Sequence, residues 1–114
     1  MKVYYSDDYI AATHDFDTTK KAGRIAARLR TDPIPNVQLV EPEPANRDDL
    51  LVAHTAEYID CVLNGGGYPA SPRRHRTNGF DWSNGLVQGV LASTGGVIDA
   101  VEAALEDGLS GSLS

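Results

Sequence analysis

Two short extended apolar segments separated by an amphipathic stretch of helical period fix what the first third of this chain can become. Met1 to Tyr5 puts Val3 and Tyr5 on one side of an extended segment, and the Ser6-Asp7-Asp8 that follows is turn chemistry. Val37-Gln-Leu-Val40 reads as a second short strand, closed by a turn at Pro42 and Pro44. Between the two, Ala22, Ile25, Ala26 and Leu29 recur at helical spacing, while Lys20, Lys21, Arg24 and Arg28 occupy other faces. Thr18 or Thr19 is available as the N-cap, and Thr31-Asp-Pro-Ile-Pro35 stops the helix near Arg30, because proline lacks an amide donor. Neighbouring parallel strands need a helical crossover, and this segment supplies one. The expected fold class is therefore α/β, with a mainly parallel sheet covered by helices.

Downstream, Asn46 with Asp49 three residues on caps a short helix through Leu50 to Val52. After His54, Thr55 caps another, with Tyr58, Ile59, Val62 and Leu63 as its buried stripe and Asn64-Gly65 as its stop. A loop follows as far as Asn78-Gly79. Ser83 or Asn84 then opens a long helix that uses Leu86, Val90, Val97, Val101 and Leu105 and ends at Gly108. Gly95-Gly96 in its middle costs about 1 kcal/mol per glycine relative to alanine, so close packing against a neighbouring element is expected there.

The length of 114 residues suits one modest domain, and the net charge of −6 disfavours a phosphate-binding surface. An acidic field attracts cationic ligands such as polyamines, although acidic surfaces also simply favour solubility. Cys61 is the only cysteine, so no intramolecular disulfide forms. No apolar run suggests a leader or a membrane span, and a cytoplasmic protein binding neither membrane nor nucleic acid is expected. Zinc needs at least three protein ligands, and His14, His54 and His75 have no partners at metal-ligand spacing. His54, just before a helix cap, reads as a packed residue. Neither Asp7-Asp8 nor Asp15 and Asp17 make a convergent carboxylate pair, and no serine has a nucleophile-elbow context. No catalytic residue and no metal ligand is assigned.

Two segments carry a resemblance. Leu50-Leu-Val-Ala-His-Thr-Ala-Glu-Tyr-Ile-Asp60 and Ser93-Thr-Gly-Gly-Val-Ile-Asp-Ala-Val-Glu-Ala-Ala-Leu105 are similar, in that order, to motifs of the zinc-dependent histone deacetylase and acetylpolyamine amidohydrolase family. The family's His-Pro-Glu-x-Pro-x-Arg entry is not reproduced, since His14 to Arg24 lacks both prolines, which points away from the histone-directed branches. In the family, the second of these helices leads through a short strand to a Gly-x-His-His turn.

The resemblance implies that residues 1–114 are the amino-terminal portion of a deacetylase-like domain of arginase-deacetylase fold. It would be a partial three-layer sandwich, lacking the catalytic carboxy-terminal portion of a domain roughly two to three times this length. Zinc is implied for the complete domain and is not bound by this chain. The implied substrates are acetylpolyamines or acyl-lysine-like amines, and the alternative is a non-catalytic binding or assembly module on the same fold. Pro69 to Trp82 is similar to the loop that shapes the substrate tunnel and assists subunit association in the acetylpolyamine branch. Its substrate-loop or interface candidates are Tyr68, Arg73, Arg74, His75, Arg76, Phe80, Asp81 and Trp82. A solvated basic loop suits the same composition. The implied partners are the missing carboxy-terminal part or a second subunit, with apolar Val90, Val97, Val101 and Leu105 driving oligomer formation.

Overall fold

Among the described residues three parallel strands make a sheet, and the chain's second residue already lies in the central one. The computed structural model describes residues 1–11, 20–65 and 82–114. Strand β1 (Lys2–Tyr4) pairs on one side with β2 (Gln38–Val40) and on the other with β3 (Ser110–Ser112). Val3 lies opposite Leu39 and Gly111, and Tyr4 opposite Val40 and Ser112. Helix α1 (Lys21–Thr31) connects β1 to β2, as the alternation of patterns predicts. From β2 the chain passes through α2 (Arg47–Leu51), α3 (Ala56–Asn64) and the 24-residue α4 (Asn84–Asp107) before entering β3.

Successive strand residues point to opposite faces, so each face receives its own helix. On one face Tyr4 and Val40 pack against Ala100 and Ala103 of α4. On the other, Tyr5, Leu39 and Leu113 meet Ala22 and Ala26 of α1. Small residues on both helices let them lie close to the sheet. The expected use of Ile25 in this contact is wrong: it is 46% exposed, because the sheet-facing side of α1 is only as wide as Ala22 and Ala26.

Local hydrogen bonding explains where the helices begin and end. Asn46 caps α2 in a reciprocal box with Asp49, Thr55 Oγ1 accepts from Tyr58 N at 3.3 Å, and Ser83 Oγ accepts from Leu86 N at 3.0 Å. The stops at Gly65 and Gly108 adopt φ of 68° and 86°, left-handed values that favour glycine. Thr18 and Thr19 lie outside the described residues, and α1 has Lys20 at its cap without a side-chain hydrogen bond.

Strand β3 has no signature in the hydropathy of Ser110-Gly-Ser112, which contains neither a β-branched nor an aromatic residue. Pairing with β1 holds it, with Ser110 Oγ donating to Lys2 O at 2.9 Å and Leu113 N to Tyr4 O at 3.0 Å. Lys2 also reaches Asp107 at the end of α4, at 3.3 Å, and this hydrogen-bonded carboxylate raises the lysine pKa.

At Gly95 and Gly96 other parts of the chain come close to α4. A Cβ on Gly95 would overlap the carbonyl oxygen of Glu43 and stand 2.7 Å from Ala45 N. The same segment donates from Ala45 N to Leu91 O at 2.9 Å and from Glu43 N to the Asp99 carboxylate at 3.0 Å. At Gly96 the neighbour is the Tyr9 hydroxyl. Tyr9 belongs to a 3-10 helix, Asp7–Ile10, that follows β1 and packs against both α1 and α4. No helix among the described residues is long and apolar enough to cross a membrane.

Candidate functional site

At the carboxyl edge of the sheet, the strand order β2-β1-β3 reverses direction between β1 and β3. In open parallel sheets such a reversal makes a crevice at the strand ends, where ligands are bound. Here it is occupied by a cluster of phenols and hydroxyls. Tyr5 and Tyr9 meet edge to face, with ring centres 5.6 Å apart. The Tyr5 hydroxyl donates to Asp7 Oδ1 at 2.8 Å, and the Arg30 guanidinium lies 5.4 Å from the centre of the same ring. Tyr9 Oη and Ser112 Oγ are 3.2 Å apart, and Ser112 Oγ donates on to Ser114 Oγ at 3.0 Å.

Burial, helped by the Asp7 carboxylate, pushes the Tyr5 phenol up to about 12. Tyr9 is raised too, again mainly by burial. Both phenols therefore remain protonated near neutral pH. Among the described residues the cluster offers hydroxyl donors and acceptors and one carboxylate, which suit the orienting of polar groups.

A second depression, of about 310 Å³, opens between α2, α3 and α4. Ile59, Val62, Leu86 and Val90 give it an apolar wall. His54 and Tyr58 stand at the wall with ring centres 5.3 Å apart. The expectation that His54 is a packed residue is corrected: it is exposed, in the short connection between the end of α2 and the Thr55 cap of α3. Below the rim, Arg47 ties α2 to α3 through both carboxylate oxygens of Asp60, at 2.6 and 3.4 Å.

Of the loop residues singled out by sequence, Tyr68, Arg73, Arg74, His75, Arg76, Phe80 and Asp81 lie outside the described residues, as does His14. Trp82 is described. Its indole Nε1 donates to Val62 O at 3.1 Å, and its ring covers Gly65 so closely that a Cβ there would stand 2.7 Å from Cδ2. The indole thus satisfies one of the carbonyls left over at the end of α3. Trp82→Phe should remove this bond at a cost of about 1 kcal/mol, read as a lower urea midpoint by circular dichroism.

Among the described residues no group of three His, Cys, Asp or Glu side chains could hold a metal ion. Cys61, half-buried on α3, adds no partner to one. Sequence reasoning missed the tyrosine cluster. Local pattern places Tyr5 on a strand and Asp7 in a turn without joining them, and the Tyr9–Ser112 contact spans 103 positions.

No protein-family model matches this chain. It is 30% identical over 111 residues to an uncharacterized protein of Picosynechococcus sp., a match covering 95% of this chain and 36% of that protein. The chain thus spans about a third of the length of the curated relative it matches.

Proposed function

We propose that this chain is the amino-terminal part of a zinc-dependent amidohydrolase of the histone deacetylase and acetylpolyamine amidohydrolase type, on the arginase-deacetylase fold. The substrates would be acetylpolyamines or acyl-lysine-like amines. The observation that carries the reading is the passage of the Thr94-Gly95-Gly96 helix into a third parallel strand beside β1. The resemblance requires a short strand at this point, and composition alone does not mark one. The net charge of −6 is consistent with a cationic amine as substrate.

The described residues contribute the frame of such an enzyme and not its chemistry. Zinc, when bound by the complete domain, would polarise the amide carbonyl and acidify its water. Its ligands belong to sequence beyond Ser114 in this reading. What this chain supplies is the carboxyl edge between β1 and β3, with Tyr5 and Tyr9 as protonated hydroxyl groups beside the end of β3.

The test is the polypeptide encoded by the complete reading frame through and beyond Ser114. It should contain a His-His pair shortly after the strand and release acetate from acetylputrescine or an acetyl-lysine peptide, with activity lost on chelation and restored by zinc. The 114-residue chain alone should release none. A continuation without the histidine pair, or an inactive zinc-loaded long polypeptide, would overturn the proposal.

A further inference from the structure

Helix α4 carries an apolar stripe along one flank, formed by Leu86, Val90, Val97, Val101 and Leu105 at intervals of four and seven residues. Its upstream half, Leu86 and Val90, faces α3 across the depression described above. The downstream half is bare: Val97, Val101 and Leu105 are 49%, 54% and 83% exposed. The opposite flank is already covered, since Gly95 and Asp99 meet the Glu43–Ala45 segment. A groove beside Val97 and Ile98 reaches Ser114, so the bare flank lies towards β3.

The topology says what belongs there. Helix α1 carries the chain from β1 outward to β2 on one face, and α4 brings it back past β1 to β3 on the other. Opposite directions on opposite faces give both crossovers the same hand, and parallel crossovers are nearly always right-handed. Among the described residues β3 pairs only with β1, so its outer edge is open. Any further parallel strand on that side continues in the β2-to-β3 direction. Its crossover helix must then lie on the α4 face, beside the bare flank.

We infer that the downstream half of the α4 stripe is the seat of an apolar-faced crossover helix from the polypeptide continuing beyond Ser114, which extends the sheet on the open side of β3. The inference rests on the reading above that such a continuation exists. The matched relative is a longer protein, since 36% of its length accounts for the whole match, and a strand–helix–strand unit needs only about 30 residues.

Thiol accessibility tests this in the long polypeptide. In a Cys61→Ser background, single cysteines are placed by Val101→Cys and, as an internal reference, by Val52→Cys at a position 89% exposed. Both are surface positions in residues 1–114, so neither change strains the fold. With a small aromatic disulfide as probe, Val101→Cys should react roughly tenfold or more slowly than Val52→Cys, since only local opening would expose it. Equal rates would overturn the inference. Slow reaction that becomes fast on dilution would also overturn it, by seating a second copy on the stripe. Acetate release separates the two readings. Protection at position 101 without hydrolysis sinks the proposed activity alone, while hydrolysis with an accessible position 101 sinks this inference alone.

Discussion

Gly95→Val should destabilise the protein by at least about 3 kcal/mol, a large share of the roughly 5–15 kcal/mol that holds a domain of this size together. The first atom added, Cβ, meets backbone on the Glu43–Ala45 segment and not a side chain that can swing away. To make room, that segment must leave α4. It then gives up the bonds from Ala45 N to Leu91 O and from Glu43 N to Asp99. Helix propensity acts the other way, favouring a non-glycine residue by up to about 1 kcal/mol, which is too little to compensate. The neighbouring glycine provides the control. A Cβ on Gly96 meets chiefly the end of the Tyr9 side chain, which can rotate at the expense of its contact with Ser112. Gly96→Ala should therefore stay within about 1 kcal/mol of the parent, propensity offsetting the lost contact. Urea unfolding of the two variants is the measurement, and equal tolerance at both positions would refute the backbone-contact account.

Tyr5→Ala should cost about 3–5 kcal/mol, comparable with other large aromatic truncations in a core. The ring is 3% exposed, and the cluster on the α1 face is built around it, from Ala22 and Ala26 to Leu39 and Leu113. Removing it takes away the ring that Ala22 and Ala26 of α1 pack against. Tyr5→Phe keeps the ring and loses only the bond to Asp7, for about 1 kcal/mol. The two variants also differ from the parent in alkali. With the folded phenol at about 12 and the unfolded one at 10, the native state holds this proton more tightly. That contribution is fully present below pH 10 and is lost as the pH rises towards 12. Tyr5→Phe should flatten the fall in urea midpoint across this window. An unchanged alkaline slope would mean that Tyr5 is not the group responsible.

The parts of the fold that sequence makes legible are those decided within a few residues. Asn46, Thr55 and Ser83 cap the helices they precede because an oxygen on a short side chain reaches an amide two or three positions ahead. Gly65 and Gly108 stop helices because of their own backbone angles. Strands β1 and β2 are visible through their apolar residues, and their parallel pairing through the helix between them. Strand β3 is different. Its stability comes from a partner 108 positions away, so Ser110-Gly-Ser112 carries no local sign of it. The same separation hides the Tyr9–Ser112 contact and with it the candidate site at the sheet edge. Ile25 shows the reverse error, in which an apolar residue at helical spacing is assigned to a contact narrower than the pattern suggests.

The contact of Trp82 with Gly65 has a consequence for how this chain tolerates change. Because the indole bonds to Val62 and rests on Gly65, the end of α3 is fastened to the start of α4 by residues on either side of positions 66–81. The spacing of the two helices is then set by that clasp and not by the number of residues between its halves. A change in the number of residues between Gly65 and Trp82 should therefore leave α3 and α4 in place as long as those two residues are kept.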